Sequence, residues 1–341
     1  MKIWLRINAL EPISSWVIVW QELVKALKEV GHTVHSDLNT IPPSPEEYIE
    51  FWWGDPIFWE WSPETVLYRV GYALSEARSL YKKSFAIKGV QKCNLLLCPS
   101  FHASIAFLEA PIDIPIEIVP FGVDTKHYHY VDRSNLTPFK FLHLGAAQFR
   151  KGSWLVPEAF IKTFTRKEPV HLTISSFHDT EMARSLEKEY GGHPNITFNI
   201  KMEPDSFPIY QQHHVLVSPH LSEGWGMCIT EAMSTGMACL VARCYTPREF
   251  FRPDFGWWIE MSEDYAPVSN CLPGTGGLWR IPDIESLAAG MRYAADHPEE
   301  VISKGKAASA YIGSNYTWEL TAEKITSILS QYVFGSTMHW Q

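Results

Sequence analysis

Ser218-Pro219-His220-Leu221-Ser222-Glu223-Gly224-Trp225-Gly226-Met227-Cys228-Ile229-Thr230-Glu231-Ala232-Met233-Ser234-Thr235-Gly236 is the stretch that decides the fold. The apolar run 215–218 reads as a strand, the two glycines as a loop, 227–235 as a helix and Gly236 as its stop. A strand that turns straight into a helix leaves the first-turn amides aimed at a ligand, and such an end binds phosphate. Gly224 and Gly226 allow positive φ and a close backbone approach. Met227 and Glu231 share a face, with Glu231 about 6 Å along the axis from the helix start. A diphosphate at that start would leave Glu231 for a ribose diol and Glu223 for a sugar on the other side. A G-x-G alone is more often a plain strand–turn–helix with two surface glutamates.

Outward from this point the chain alternates. Strands at 139–144, 171–176, 195–200, 215–218 and 238–242 enclose helices at 153–164, 207–213 and 227–235, which marks a parallel sheet. The first half repeats the pattern. A strand through Asn8 and a helix with Trp16, Val19, Leu23, Leu27 and Val30 at three- and four-residue spacing are followed by the stop Gly31. A second strand begins at His32, and 94–99, 101–109 and 116–120 give strand, helix, strand. A polar stretch, 131–138, separates the halves. Two Rossmann-like halves fit 341 residues, which exceed the size at which single cores stop growing. In such sheets ligands sit outside the carboxyl ends of the strands, so a site in a cleft between the halves is expected.

A net charge of −9 disfavours general binding to phosphate backbones. The six cysteines form no C-x-x-C pair and read as free thiols in a reducing compartment. The opening Met1-Lys2-Ile3-Trp4-Leu5-Arg6 is too short for a signal-peptide core, and no window approaches about 18 apolar residues. A cytoplasmic protein without a transmembrane span is expected, and the sequons at Asn135, Asn195 and Asn315 are then chance matches.

A second block, Phe141-Leu142-His143-Leu144-Gly145-Ala146-Ala147-Gln148-Phe149-Arg150-Lys151-Gly152, sets two cations in a strand–helix loop, which suits a leaving diphosphate. Alone it would more often be a solvated pair. Together, the two blocks resemble family 4 glycosyltransferases, whose donor motif pairs two glutamates in an E-G-[FW]-G…E-A-M context and whose R-K-G element matches Arg150-Lys151-Gly152. Residues 98–100, 119–124 and 316–319 resemble further family segments. His214, Met237 and Ala146 depart from the family pattern, and Ala146 removes one phosphate contact.

The resemblance implies an α/β GT-B fold: two Rossmann-like domains facing across a cleft, with the C-terminal helix returning to the N-terminal domain. The expected domains are 1–131 with 318–341 on the acceptor side, a linker at 132–138, and 139–317 on the donor side. It implies a retaining, nucleotide-sugar-dependent transferase that needs no cofactor and no metal, consistent with the absence of any D-x-D. Glu223, Lys151 and Arg150 are the expected catalytic residues. Gly145, Arg150, Lys151, Met202, Glu223, Gly224, Trp225, Gly226, Met227, Cys228 and Glu231 would bind the donor.

Acceptor candidates are Ser14 and Ser15, which otherwise cap the following helix, Trp53 in a tryptophan-rich stretch that could equally be core, and Glu76. Acceptors could be a carbohydrate, a lipid-linked or another hydroxyl. The basic run Arg78, Lys82, Lys83, Lys88 and Lys92 reads first as a solvated face and second as a site for a lipid head group or a nucleic acid, the latter not favoured. Two other classes stay open: a non-catalytic sugar-nucleotide-binding protein, and a sugar-nucleotide epimerase on the same architecture.

Overall fold

The computed structural model describes residues 1–8, 15–80, 82–201, 205–272 and 275–335. Two compact units divide the chain: unit 1, residues 1–124 with 316–341, and unit 2, residues 125–315.

In unit 1, strands β1 (Lys2–Ile7), β2 (Thr33–His35), β3 (Tyr48–Trp53), β4 (Tyr68–Tyr72), β5 (Leu95–Cys98) and β6 (Ile116–Ile118) form one parallel sheet ordered β2-β1-β3-β4-β5-β6. Helices α1 (Ser15–Glu29), α2 (Lys83–Val90) and α3 (Phe101–Leu108) connect it. α1 ends at Glu29, two residues before its expected stop Gly31, whose φ is 92°. It buries the Val19, Leu23 and Leu27 stripe.

β3 and β4 escaped the sequence reading. Both are inner strands of a parallel sheet covered on two faces, so their apolar runs do not alternate. The tryptophan-rich stretch is therefore core rather than a sugar-stacking wall. Trp53 is 2% exposed, wedged against Trp16, Tyr72 and Phe121, and its indole N–H donates to the Trp16 carbonyl at 2.7 Å. It offers no face to an acceptor. Lys82, Lys83, Lys88 and Lys92 are exposed, and Arg78 pairs with Glu109 at 2.6 Å.

In unit 2, β7 (Phe139–Leu144), β8 (Val170–Ser176), β9 (Ile196–Ile200), β10 (Val215–Ser218), β11 (Ala238–Ala242) and β12 (Gly256–Ile259) form a second parallel sheet ordered β12-β11-β10-β7-β8-β9. This is the strand order of the doubly wound dinucleotide fold. Helices α4 (Leu155–Thr163), α5 (Glu181–Tyr190), α6 (Phe207–Gln211) and α7 (Met227–Ser234) intervene. A hairpin, β13 (Met261–Pro267) with β14 (Leu278–Pro282), and helices α8 (Ile284–Asp296) and α9 (Pro298–Asn315) complete the unit. Phe141, Leu172, Val215 and Leu240 from four strands meet Phe160, Leu287 and Met291 in its core. The chain then returns to unit 1 as α10 (Trp318–Leu329), which packs on α1.

The stretch read as a linker belongs to unit 2 and is pinned there by Arg133, 2% exposed. Its guanidinium donates to the carbonyls of Val131, Tyr210, His213 and Thr235 and to the Thr235 hydroxyl. One side chain thus donates to carbonyls at the carboxyl ends of both α6 and α7, where a helix runs short of donors of its own. Arg133→Met should destabilise the protein by roughly 3 kcal/mol, because several buried acceptors lose a charged donor at once. Urea unfolding monitored by tryptophan fluorescence measures this, and a loss under about 1 kcal/mol would show that water replaces the guanidinium.

Candidate donor site

The order of the second sheet reverses between β7 and β10, so the loops leaving these two strands lie side by side at the switch point where such folds bind ligands. Both motif blocks are these loops. They are strapped together by Leu221 N–H donating to the Arg150 carbonyl at 2.8 Å. Gly152 makes the approach possible: its φ is 63°, and a β-carbon there would stand 2.0 Å from the Pro219 carbonyl oxygen.

The strap brings Arg150, Lys151 and Glu223 together. Lys151 Nζ lies 2.6 Å and Arg150 Nη1 3.5 Å from Glu223 Oε2. Arg150 also donates to the Ser222 carbonyl at 2.8 Å. Glu223 is 6% exposed. Burial opposes its ionisation, yet Lys151, Arg150 and His220 outweigh that and hold the carboxyl well below the usual range. With His220 neutral, Lys151, Arg150 and Glu223 sum to one net positive charge.

Gly226 caps α7 with φ 102° and contributes no side-chain cap. Ile229 and Thr230 both donate to the Gly226 carbonyl, which leaves the amides of Met227 and Cys228 to be satisfied from outside the helix. Gly145, φ 142°, ends β7, and a β-carbon there would reach the Lys151 stem. Gly224 joins Glu223 to this cap. Trp225 is 3% exposed with its ring against Phe250, so only its backbone is available to a ligand. Burial pushes the Cys228 thiol up to about 12, which removes it as a nucleophile. Met202 and Ser14 lie outside the described residues. Ser15 is exposed at the start of α1, and Glu76 is half-buried.

Glu231, 8% exposed, stands one turn further along α7. Its Oε2 accepts from Tyr210 Oη at 2.8 Å and from Ser206 Oγ at 3.5 Å, and Ser206 meets Tyr128 Oη at 2.9 Å. Burial raises its carboxyl to about 7; the Tyr210 and Ser206 bonds oppose this and Asp205 adds to it. The sequence reading missed Tyr210 and Arg133, since a tyrosine and an arginine at such distances in the chain carry no motif. It also passed over His102, buried beside the Glu76 backbone in the first turn of α3, where burial lowers its pKa to about 4.

Residues 125–267, which hold this whole site, match the family model for glycosyl transferases group 1. Most of unit 2 is thus similar to the group 1 glycosyltransferases. Solved structures extend the likeness to the whole chain as a fold. Sucrose-phosphate synthase from Thermosynechococcus elongatus superposes with a TM-score of 0.72 at 14% identity, over 98% of this chain and 99% of that one. The Anabaena protein HepE in complex with UDP and glucose gives 0.70 at 14%, over 97% and 100%. A glycosyltransferase from Rickettsia africae gives 0.69 at 14%, over 98% and 98%. Among curated proteins no sequence match is found. The architecture is GT-B. No helix among the described residues is long and apolar enough to cross a membrane.

Electrostatics within unit 2 yields a test that needs no substrate. A carboxyl raised from 4.5 to about 7 on folding contributes stability that is full below about 4.5 and is lost as pH rises through about 7. Glu231→Gln keeps an acceptor for Tyr210 without the charge. Its stability relative to the native chain should therefore improve by up to about 3 kcal/mol between pH 4.5 and pH 8. Urea titrations at both pH values check this, and an equal difference at the two would show that Glu231 titrates normally.

Proposed function

We propose that the chain transfers a sugar from a nucleotide-sugar donor to an acceptor hydroxyl with retention of the anomeric configuration and without a metal ion. The observation that carries the reading is the clustering of Arg150, Lys151 and Glu223 beside the uncapped start of α7, with Glu231 one turn away on the same helix.

Lys151 and Arg150 supply positive charge for the diphosphate, joined by the amides of Met227 and Cys228 at the helix start. Such fixed cations do the work a divalent ion would do at a leaving group, and the absence of a D-x-D from the sequence points the same way. Glu223 accepts a hydroxyl of the transferred sugar. Glu231 accepts the ribose diol through Oε1, because Tyr210 and Ser206 occupy Oε2. In the transfer the bond from C1 to the diphosphate oxygen breaks and one from C1 to the acceptor oxygen forms on the same face. The acceptor's proton passes to the departing diphosphate oxygen.

Ser15 and Glu76 are the remaining acceptor-side candidates, and a carbohydrate or lipid-linked hydroxyl is the acceptor class favoured. Cys93, Cys98, Cys228, Cys239 and Cys244 are free thiols, which supports a reducing, cytoplasmic setting. UDP-glucose is the first donor to try, given the UDP and glucose of the HepE complex.

Thermal-shift measurements with UDP-, GDP-, ADP-, CMP- and dTDP-sugars in EDTA should show one nucleotide stabilising the protein. The gain should be about 2.7 kcal/mol at 100 times its Kd, and it should vanish in Glu231→Ala. Binding that requires a divalent ion sinks metal independence, and an inverted product anomer by NMR sinks retention. Binding without transfer to any acceptor would favour a sugar-nucleotide-binding protein, and conversion of the sugar with its nucleotide still attached would favour an epimerase.

A further inference from the structure

His220 belongs to neither motif block's assigned residues, yet it lies at their meeting point. It is 2% exposed, in the loop between β10 and α7. Its neighbours on both sides are fixed: the Pro219 carbonyl abuts Gly152, and Leu221 N–H donates to the Arg150 carbonyl. The imidazole therefore has little freedom to turn away. Its Nδ1 stands 2.7 Å from Glu223 Oε2, close in distance but off-line in angle for a hydrogen bond. The charged groups facing it are Lys151, Arg150 and Glu223, and burial first, then Lys151, lowers its pKa to about 3. It is a neutral ring beside an ionised carboxylate, so the tautomer that suits the contact carries its hydrogen on Nδ1.

Among the described residues, Lys151, Arg150 and His220 reach the same oxygen of the Glu223 carboxylate, Oε2, and Oε1 takes part in none of these three contacts. Two of the three are the cations that the proposed reaction needs at the diphosphate. A cation drawn toward a phosphate weakens its hold on the carboxylate, whereas a neutral N–H donor does not compete for that charge. We infer that His220 is a positioning residue for Glu223: its Nδ1–H holds Oε2 when Lys151 and Arg150 turn to the diphosphate, so that Oε1 stays aimed at the transferred sugar. This rests on the glycosyltransferase reading, and it adds a residue that acts through Glu223 rather than on the substrate.

The test compares His220→Asn, which keeps an N–H near the δ position, with His220→Phe, which keeps ring volume without a donor, and His220→Ala. Kd values for UDP and UDP-glucose are measured by calorimetry, kcat and KM for UDP-glucose are measured where transfer is seen, and melting curves report folding. Asn should stay within about threefold of the native UDP-glucose affinity, while Phe and Ala should lose about tenfold or more, with UDP affinity unchanged in all three. The inference is overturned if Phe matches the native chain while Asn does not, since volume and not the donor would then matter. It is equally overturned if Ala is indistinguishable from the native chain, or if UDP and UDP-glucose weaken together. Failure of the native chain to bind any nucleotide or nucleotide sugar would instead remove the glycosyltransferase reading, and this inference with it.

Discussion

The ionised Glu223 carboxylate is the constraint around which the donor half is arranged. Burying a carboxylate costs several kcal/mol unless its partners are close and well placed. Here the partners come from the loop after β7 and from the loop after β10, so both must be held within hydrogen-bond reach of one oxygen. The strand order sets β7 against β10, the Leu221–Arg150 backbone bond ties their loops, and Gly152 removes the side chain that would force them apart. A neutral residue at 223 would not require these loops to converge. The same convergence places the two cations beside the start of α7.

Glu223 and Glu231 are eight residues apart, buried to a similar degree, and driven in opposite directions. Desolvation pushes both toward the protonated form. Among the described residues, Glu223 has cations within 4 Å to reverse it, whereas Glu231 has hydroxyls, which are too weak to do so. One carboxylate is thus committed to its charge, and the other sits near the pH at which it gains or loses a proton. The difference suits the proposed roles, because the residue beside the diphosphate must stay an acceptor amid cations, while the ribose partner faces only neutral hydroxyls. Arg133 stands behind both halves of the second arrangement, since it ties the carboxyl end of the helix bearing Tyr210 to that of the helix bearing Glu231.

Much of this was legible in the sequence because unit 2 writes its structure locally. Its strand and helix limits follow from short apolar runs bounded by glycine, and the motif residues are near neighbours in the chain. Lys151 and Glu223, 72 residues apart, were each singled out because both carry recognisable motifs, but that they pair was not read from the sequence. Tyr210, Ser206, Arg133 and His220 were not singled out, because what distinguishes them is the tertiary contact and not the residue type. In unit 1 the tryptophan-rich stretch hid β3, since a strand buried on both faces loses the alternation by which strands are recognised.

Unit 1 uses its own switch point differently. Its order reverses between β1 and β3, and among the described residues an aromatic group packs there: Trp53 meets Tyr72 and Phe121 edge to face and Trp16 at a tilt, behind Gly54, whose φ is 124° and whose missing β-carbon would lie 3.6 Å from the Trp16 ring. Where unit 2 concentrates two cations and two carboxylates, these four side chains of unit 1 are uncharged. A diphosphate needs fixed charge, because charge builds on it as its bond to the sugar breaks. A hydroxyl acceptor whose proton leaves with that diphosphate builds up little, and a rigid apolar support that fixes backbone groups suffices to orient it. This difference between the four aromatic residues of unit 1 and the charged cluster of unit 2 accords with the proposed division into donor and acceptor halves.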